Sequence, residues 1–303
     1  MNNEDVQRKF IIGDEWSYFK IYTGFKTADA LLTDCIYTLA TSLEADQIID
    51  KWFFIRYSDP QFHLRLRFHV PNQNQISVLV MRFNQSIKNY VHNNLAWKVQ
   101  ADTYNRELER YGNNTMEASE TLFFHNSIMI CKLIALDVVK KDEDMRWLAG
   151  LKMIDVLLND FGFSLPEKTA LLDTLKENFG KEFGITSEYR HQFGRKYRNE
   201  KAKIEKILHP KSEESEEFTN IFEPIFQKSQ SLKITIEYIK KRVQESQQLQ
   251  LNDLLSSYIH MTLNRLFRTQ QRKHELVLYD YLYRYYYSMQ ARGSLSAKEN
   301  SLK

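Results

Sequence analysis

The chain has 303 residues, 43% of them hydrophobic and 27% charged, with a formal net charge of +3 at pH 7. That is enough apolar material for one large domain or two, and too little net charge to imply nucleic acid by itself. The 9 Gly and 5 Pro disfavour a loop-rich sandwich and favour long helices, and no apolar run approaches the roughly 18 residues of a bilayer span.

The start, Met1-Asn2-Asn3-Glu4-Asp5, lacks a basic region followed by an apolar run, so neither export nor membrane insertion is expected. Trp16 to Thr23 reads as a first strand and Thr27 to Leu43 as a helix, with Ala30, Leu31, Cys35 and Leu39 at helical spacing. Lys51 to Tyr57 is a strand, Asp59-Pro60 a turn, and His63 to Val70 its hairpin partner, stopped by Pro71-Asn72. Ile76 to Tyr90 returns to the helical period, and Ala96 to Ala101 offers another short strand. The order β-α-β-β-α-β predicts a split βαβ, ferredoxin-like sheet with helices on one face, leaving the other face for a ligand.

After about Asp102 helical patterns follow one another: Glu117 to Val139, Met145 to Asn159, Pro166 to Phe179, Glu188 to Leu208, Glu217 to Gln248, Asn252 to Phe267 and His274 to Tyr287. The expected class is therefore α+β, with a sheet region over 1–102, a helical region over 103–290 packed on it, and a disordered tail over 291–303. Glu213 to Glu217 reads as a solvated helix entrance. Cys35 and Cys131 sit far apart in apolar helical patterns, with no His at metal-ligand spacing, which points to reduced core thiols and a cytoplasmic setting.

Three stretches carry chemistry. In the second hairpin strand Leu64, Leu66, Phe68 and Val70 alternate with His63, Arg65, Arg67 and His69, so one face is apolar and the other cationic, with Arg56 one strand away. Guanidinium forks suit carboxylates or phosphates, although the alternation by itself reports only a half-buried strand. Around Tyr104 to Gly112, Tyr104, Leu108 and Tyr111 fit the buried stripe of a short helix with Arg106 and Arg110 on one flank and Gly112 as its stop; by spacing alone a solvated helix laced with Arg and Glu pairs explains it as well. On the helix after Asn252, Leu255, Ile259, Leu263 and Leu266 mark the buried stripe, and His260 and Asn264 share the next face. A histidine there is commonly a hydrogen-bonded core residue, yet it is also the side chain best able to move a proton at neutral pH. No Walker, GxGxxG, GxSxG, HExxH or kinase motif occurs, and the basic stretch with His191 and His209 is explained by a solvated face.

Taken together, WFFIRYSDPQFHLRLRF (52–68), YNRELERYG (104–112) followed by Met116, Glu120 and Phe123, and HMTLNRLF (260–267) resemble the C-terminal elimination domain of class I lanthipeptide dehydratases, also found as free-standing thiopeptide-type bacteriocin biosynthesis proteins. Asn113 stands where that family usually has a second glycine, and Asn also tolerates left-handed geometry. The resemblance implies a lyase that expels glutamate from glutamylated serine or threonine of a ribosomally made precursor peptide, leaving dehydroalanine or dehydrobutyrine. It implies as partners that peptide, a separate tRNA-dependent glutamylating subunit, a cyclase, and a complex or homodimer, with no metal or organic cofactor and no direct nucleic acid. Carried over residue by residue, it assigns Arg67, Arg110 and His260 to catalysis, and His63, Arg65, Arg106, Tyr111, Asn264 and Arg265 to substrate binding or support. Two other readings stand beside it: a pyridine synthase joining two dehydroalanines with loss of the leader peptide, and a non-catalytic scaffold gripping a peptide or partner at the sheet edge.

Overall fold

The apolar run from Lys51 and the alternation over residues 63–70 fold as the expected antiparallel hairpin. The computed structural model describes residues 6–209 and 215–300. In chain order it contains β1 (Lys9–Phe10), β2 (Trp16–Thr23), α1 (Phe25–Ala30), a π-helical turn (Leu31–Ile36), α2 (Tyr37–Ala45), β3 (Lys51–Ser58), β4 (Phe62–His69), α3 (Ile76–His92), β5 (Ala96–Asp102) and β6 (Tyr104–Asn105). The helices α4 (Leu108–Tyr111), α5 (Met116–Ala135), α6 (Asp137–Lys141), α7 (Glu143–Asp160), α8 (Leu165–Glu182), α9 (Ser187–Leu208), α10 (Ser215–Glu245), α11 (Leu251–Leu266) and α12 (Gln271–Asn300) follow. The class is α+β, as the element pattern predicts.

The four-stranded sheet has the order β3-β4-β2-β5, every pair antiparallel, which is the ferredoxin-like arrangement. Register sorts its side chains. Phe19, Ile21, Leu64, Leu66, Phe68 and Trp52 share the face that α3 covers, with the Phe19 and Phe83 rings stacked 4.4 Å apart. The opposite face carries Arg65 and Arg67, but Tyr18, Tyr22 and Phe53 from the neighbouring strands stand between the cations, so it is aromatic as well as cationic. Arg56 pairs in register with Leu64 and so projects from the apolar face, where its guanidinium meets Asp29 of α1 at 2.6 Å; it is not part of the cationic cluster.

β3 is an edge strand, and α5 and α11 cover it. An edge presents unpaired backbone groups that need partners once buried. Ser127 of α5 accepts from the Phe54 N–H at 3.2 Å, and Asn264 of α11 accepts from the Arg56 N–H and donates to the Arg56 carbonyl, both at 2.9 Å. Two helix side chains thus continue the ladder where no further strand does.

The chain divides into two compact units: residues up to Lys140 with Gln230–Thr269, and Lys141–Ser229 with the residues from Gln270 on. The expected division at 102/103 does not follow these units, because α5 and α11, far apart in sequence, pack on β3. The second unit has a helical core with buried polar groups at its centre, where Asp155 accepts from the Lys168 ammonium at 2.9 Å and the Tyr286 hydroxyl at 2.7 Å. The expected tail is helical as far as Asn300, and Arg292 of α12 reaches Glu205 of α9 at 3.1 Å; residues 301–303 lie outside the described residues. Part of the acidic entrance at Glu213 also lies outside them. Among the described residues no helix is long and apolar enough to cross a membrane.

Candidate functional site

Arg67 projects from β4 in register with Tyr18 on one side and Phe53 on the other. Its guanidinium lies 4.6 Å from the Tyr18 ring centre, 5.2 Å from that of Phe53 and 4.7 Å from that of Tyr104, a box of aromatic faces that attract a cation. The side chain is buried, its Nε has no hydrogen-bond partner, and it makes no ion pair with any described residue. From α11 comes a second cation, Arg265, wholly buried over the Phe123 ring at 4.9 Å. One of its terminal nitrogens donates to the Met261 carbonyl at 2.8 Å, while its Nε and the other terminal nitrogen have no partner. Burial pulls the Arg265 pKa down to about 9, opposed by Tyr111 and reinforced by the Arg67 charge, which leaves it protonated at neutral pH.

Taking a guanidinium out of water costs several kcal/mol unless a counter-charge is supplied. The two groups feel each other's field, and neither is in an ion pair with a described carboxylate, although Glu107 borders the same cavity as Arg67. Beside them is a cavity of about 40 Å³ bordered by Arg67, Tyr104, Glu107, Tyr111, Phe123 and Met261, roughly the room of one carboxylate.

Tyr111 and Arg110 come from α4, a single turn ended by Gly112 at φ +73°. A Cβ at Gly112 would stand 3.0 Å from Leu249, so that stop admits little else. Asn113 has ordinary backbone and opens a short 3-10 turn, so its tolerance of left-handed geometry is not used. Burial pushes the Tyr111 phenol up to about 12, with the Glu107 carboxylate adding to the effect and Arg110 and Arg265 opposing it, so the hydroxyl stays a donor. Arg110 is half exposed and reaches Glu107 at 3.0 Å, holding that carboxylate at the cavity rim. Glu107 borders the cavity without having been singled out by the sequence, and Tyr104, which also borders it, was expected only as part of a buried stripe. An i, i+3 charge pair was the available signal for Glu107, and it is too common to point anywhere.

Residues 104–106 are not helical, contrary to the stripe read there. Tyr104 and Asn105 pair with Phe10 and Lys9 as a two-stranded ribbon, which turns Arg106 inward. Its fork is spent on Glu120, at 2.8 and 2.6 Å, and Glu120 also accepts from the Tyr104 hydroxyl at 2.8 Å. Arg106 therefore positions the ring that covers Arg67, an internal place in contrast to the substrate contact expected of it. His63 is internal too: its Nδ1 meets the Gln61 carbonyl at 2.8 Å and its Nε2 accepts from Arg65 at 3.1 Å, where substrate binding was expected. Arg65 itself lies flat over Tyr57, 3.4 Å from the ring centre, partly open to solvent on the face shared with Arg67. Asn264 is committed to the Arg56 backbone, which gives it a structural place instead of a substrate contact. His260 is half-buried on α11, one turn before Asn264 and next to the cavity-lining Met261. Of the expected residues, Arg67 and Tyr111 line the cavity; Arg110 reaches it only through Glu107, Arg265 is buried behind Phe123, His260 stands beside Met261 of the wall, and Arg106, His63 and Asn264 are occupied within the chain.

The fold and sequence have known counterparts. The chain is 25% identical over 255 residues to the epidermin biosynthesis protein EpiB of Staphylococcus epidermidis, covering 82% of this chain and 24% of EpiB. It is 27% identical over 173 residues to the subtilin biosynthesis protein SpaB of Bacillus subtilis, covering 56% of this chain and 17% of SpaB, so it spans less than a quarter of either relative. Among solved structures, the tRNA-dependent lantibiotic dehydratase MibB from Microbispora sp. 107891 superposes over 90% of this chain and 28% of its own, with a TM-score of 0.67 and 17% identity. The pyridine synthase TbtD from thiomuracin biosynthesis superposes over 89% of this chain and 97% of its own, with a TM-score of 0.59 and 11% identity. Residues 16–286 match the family model described as lantibiotic biosynthesis dehydratase C-term, which bears out the resemblance of the three sequence blocks: the chain belongs to that family.

Proposed function

We propose that this chain performs the elimination half of a peptide dehydration, removing glutamate from glutamylated serine or threonine of a ribosomally made precursor peptide. Family membership carries the coarser statement that it is a component of lantibiotic-type dehydratase machinery. The finer one rests on a single observation: the buried guanidinium of Arg67, in no ion pair with a described residue, borders a cavity of about 40 Å³.

Elimination breaks the Cα–H bond and the Cβ–O bond of the ester, so it needs a base, support for the enolate, and a place for the departing carboxylate. In this reading Arg67 receives the carboxylate that leaves through a charge-assisted hydrogen bond, with the field of the buried Arg265 behind it. Tyr111, kept protonated by burial, supplies a neutral donor to the developing oxyanion. Arg110 at the rim takes the second carboxylate of the glutamyl group. His260, on the wall helix, moves the proton, either taking it from Cα or giving one to the leaving carboxylate. The glutamylated peptide comes from a separate tRNA-dependent subunit.

Incubation with a peptide carrying one glutamylated threonine, followed by mass spectrometry, tests the reading. The wild-type chain is expected to release glutamate and leave dehydrobutyrine, whereas Arg67→Ala and His260→Ala retain peptide binding and leave the glutamyl adduct, with turnover down at least a hundredfold. Normal elimination by both variants overturns the assignment. The near full-length likeness to the pyridine synthase favours a second reading, joining of two dehydroalanines; a glutamyl ester left untouched by wild-type chain would favour it. Loss of complex formation instead of turnover in the two variants would favour a scaffold.

A further inference from the structure

A hollow larger than the cavity beside Arg67 lies elsewhere in the first unit. A groove of about 650 Å³ runs between α5 and α10, with Gln7, Asn113, Glu117, Thr121, Ile234 and Thr235 on its walls. A second, of about 290 Å³, lies along the end of α10 and the following turn, where Asn113, Asn114, Arg242, Ser246 and Gln248 face it. Asn113 and Asn114 line both, so the two hollows adjoin; together they are called the trough. The Tyr238 hydroxyl donates to the Asn114 carbonyl at 3.2 Å and ties the floor of the trough to α10.

Three features define the ligand chemistry. Amide and hydroxyl side chains dominate the walls, and such groups offer both donors and acceptors, which is what an extended backbone requires. Ile234 is 88% exposed within this polar trough, a large apolar side chain placed where a partner side chain would cover it. The turn over residues 107–117 has two sides: Glu107, Tyr111 and Met116 border the cavity beside Arg67, while Leu108, Asn113 and Asn114 border the trough. A chain lying in the trough is therefore one turn of backbone away from the group being eliminated. An extended peptide rises about 3.3 Å per residue, so a few flanking residues bridge that separation.

We propose that this trough binds an extended stretch of the substrate peptide that flanks the residue being dehydrated, and so sets which peptides are processed. The inference rests on the elimination reading for its substrate, and its test separates the two. Glutamylated threonine is presented to the full chain in a short form, acetyl-Ala-Thr(glutamyl)-Ala-amide, and in a long form with about ten residues of mixed Ala, Gln and Ile on each side. The expected result is a KM at least tenfold lower for the long form. Ile234→Asp should raise the KM of the long form about tenfold, leave its kcat unchanged, and leave kcat/KM of the short form unchanged. Equal KM for both lengths, or an Ile234→Asp variant indistinguishable from wild type, overturns the trough proposal while sparing the elimination reading. Should neither form be eliminated, the elimination reading fails, and a benzophenone photo-crosslinker at position 234 still decides the trough. Capture of the long unglutamylated peptide supports it, and capture of the chain's own first residues alone overturns it.

Discussion

Arg265 shows how a site and its cost sit in one side chain. It is wholly buried with two unpartnered nitrogens, and burial, reinforced by the Arg67 charge, displaces its pKa downward. Replacing a buried charge by an apolar side chain of similar length commonly stabilises a fold by about 1–4 kcal/mol. Arg265→Met is therefore expected to raise the urea midpoint while glutamate release falls at least tenfold; a destabilised variant would mean that the guanidinium is satisfied after all. His63 gives the pH counterpart. Burial holds its imidazole below the ordinary value, with Arg65 and Lys20 reinforcing the shift and the Gln61 carbonyl opposing it. Since the folded pKa is lower than the unfolded one, the unfolded chain binds more protons between the two. His63 therefore contributes stability that is complete above about pH 6.5 and is lost as pH falls through the folded value. Thermal melts from about pH 7.5 to 5 should show a decline that is flatter in His63→Gln.

At the scale of the element, the sheet is held in place by partners distant in sequence. Asn264 lies 208 residues from the Arg56 backbone that it pairs. Asn264→Leu removes two hydrogen bonds and leaves an N–H and a carbonyl buried, so a loss of about 2–4 kcal/mol is expected in urea unfolding. Asn264→Asp, which can still accept from the N–H, should recover part of it. The Arg106–Glu120 pair plays a similar part for the ribbon of β1 and β6. Both side chains are buried, and breaking such a pair by removing one partner costs about 3–5 kcal/mol. Glu120→Ala is expected to lose that much in urea unfolding and, by freeing the Tyr104 hydroxyl, to loosen the ring that covers Arg67.

For the whole molecule, the proposed binding of an anion at Arg67 predicts linkage between ligand and stability. A ligand that binds only the folded chain raises its stability by RT ln(1 + [L]/Kd). Glutamate, the product of the proposed reaction, is expected to raise the melting temperature of the wild-type chain in a saturable way, and to do so much less in Arg67→Met. An equal shift in both would mean that glutamate acts elsewhere. Local pattern in the sequence determined a good deal of this architecture. An apolar run and then a period of two located β3 and β4, the latter putting Arg65 and Arg67 on one face; period 3.6 located most helices to within a few residues, apart from residues 104–106, which are not helical, the stretch Glu117 to Val139, which breaks after Ala135, and the last helix, which continues to Asn300. Both signals survive because a strand or helix orients its own side chains whatever surrounds it. Only the tertiary structure decided which cations are free. Arg56, Arg67, Arg106 and Arg265 look alike as residues, yet Asp29 and Glu120 neutralise two of them and aromatic rings enclose the other two. A guanidinium's reach spans several strands and turns, and its electrostatic state depends on what the fold brings within about 4 Å, which no local period encodes.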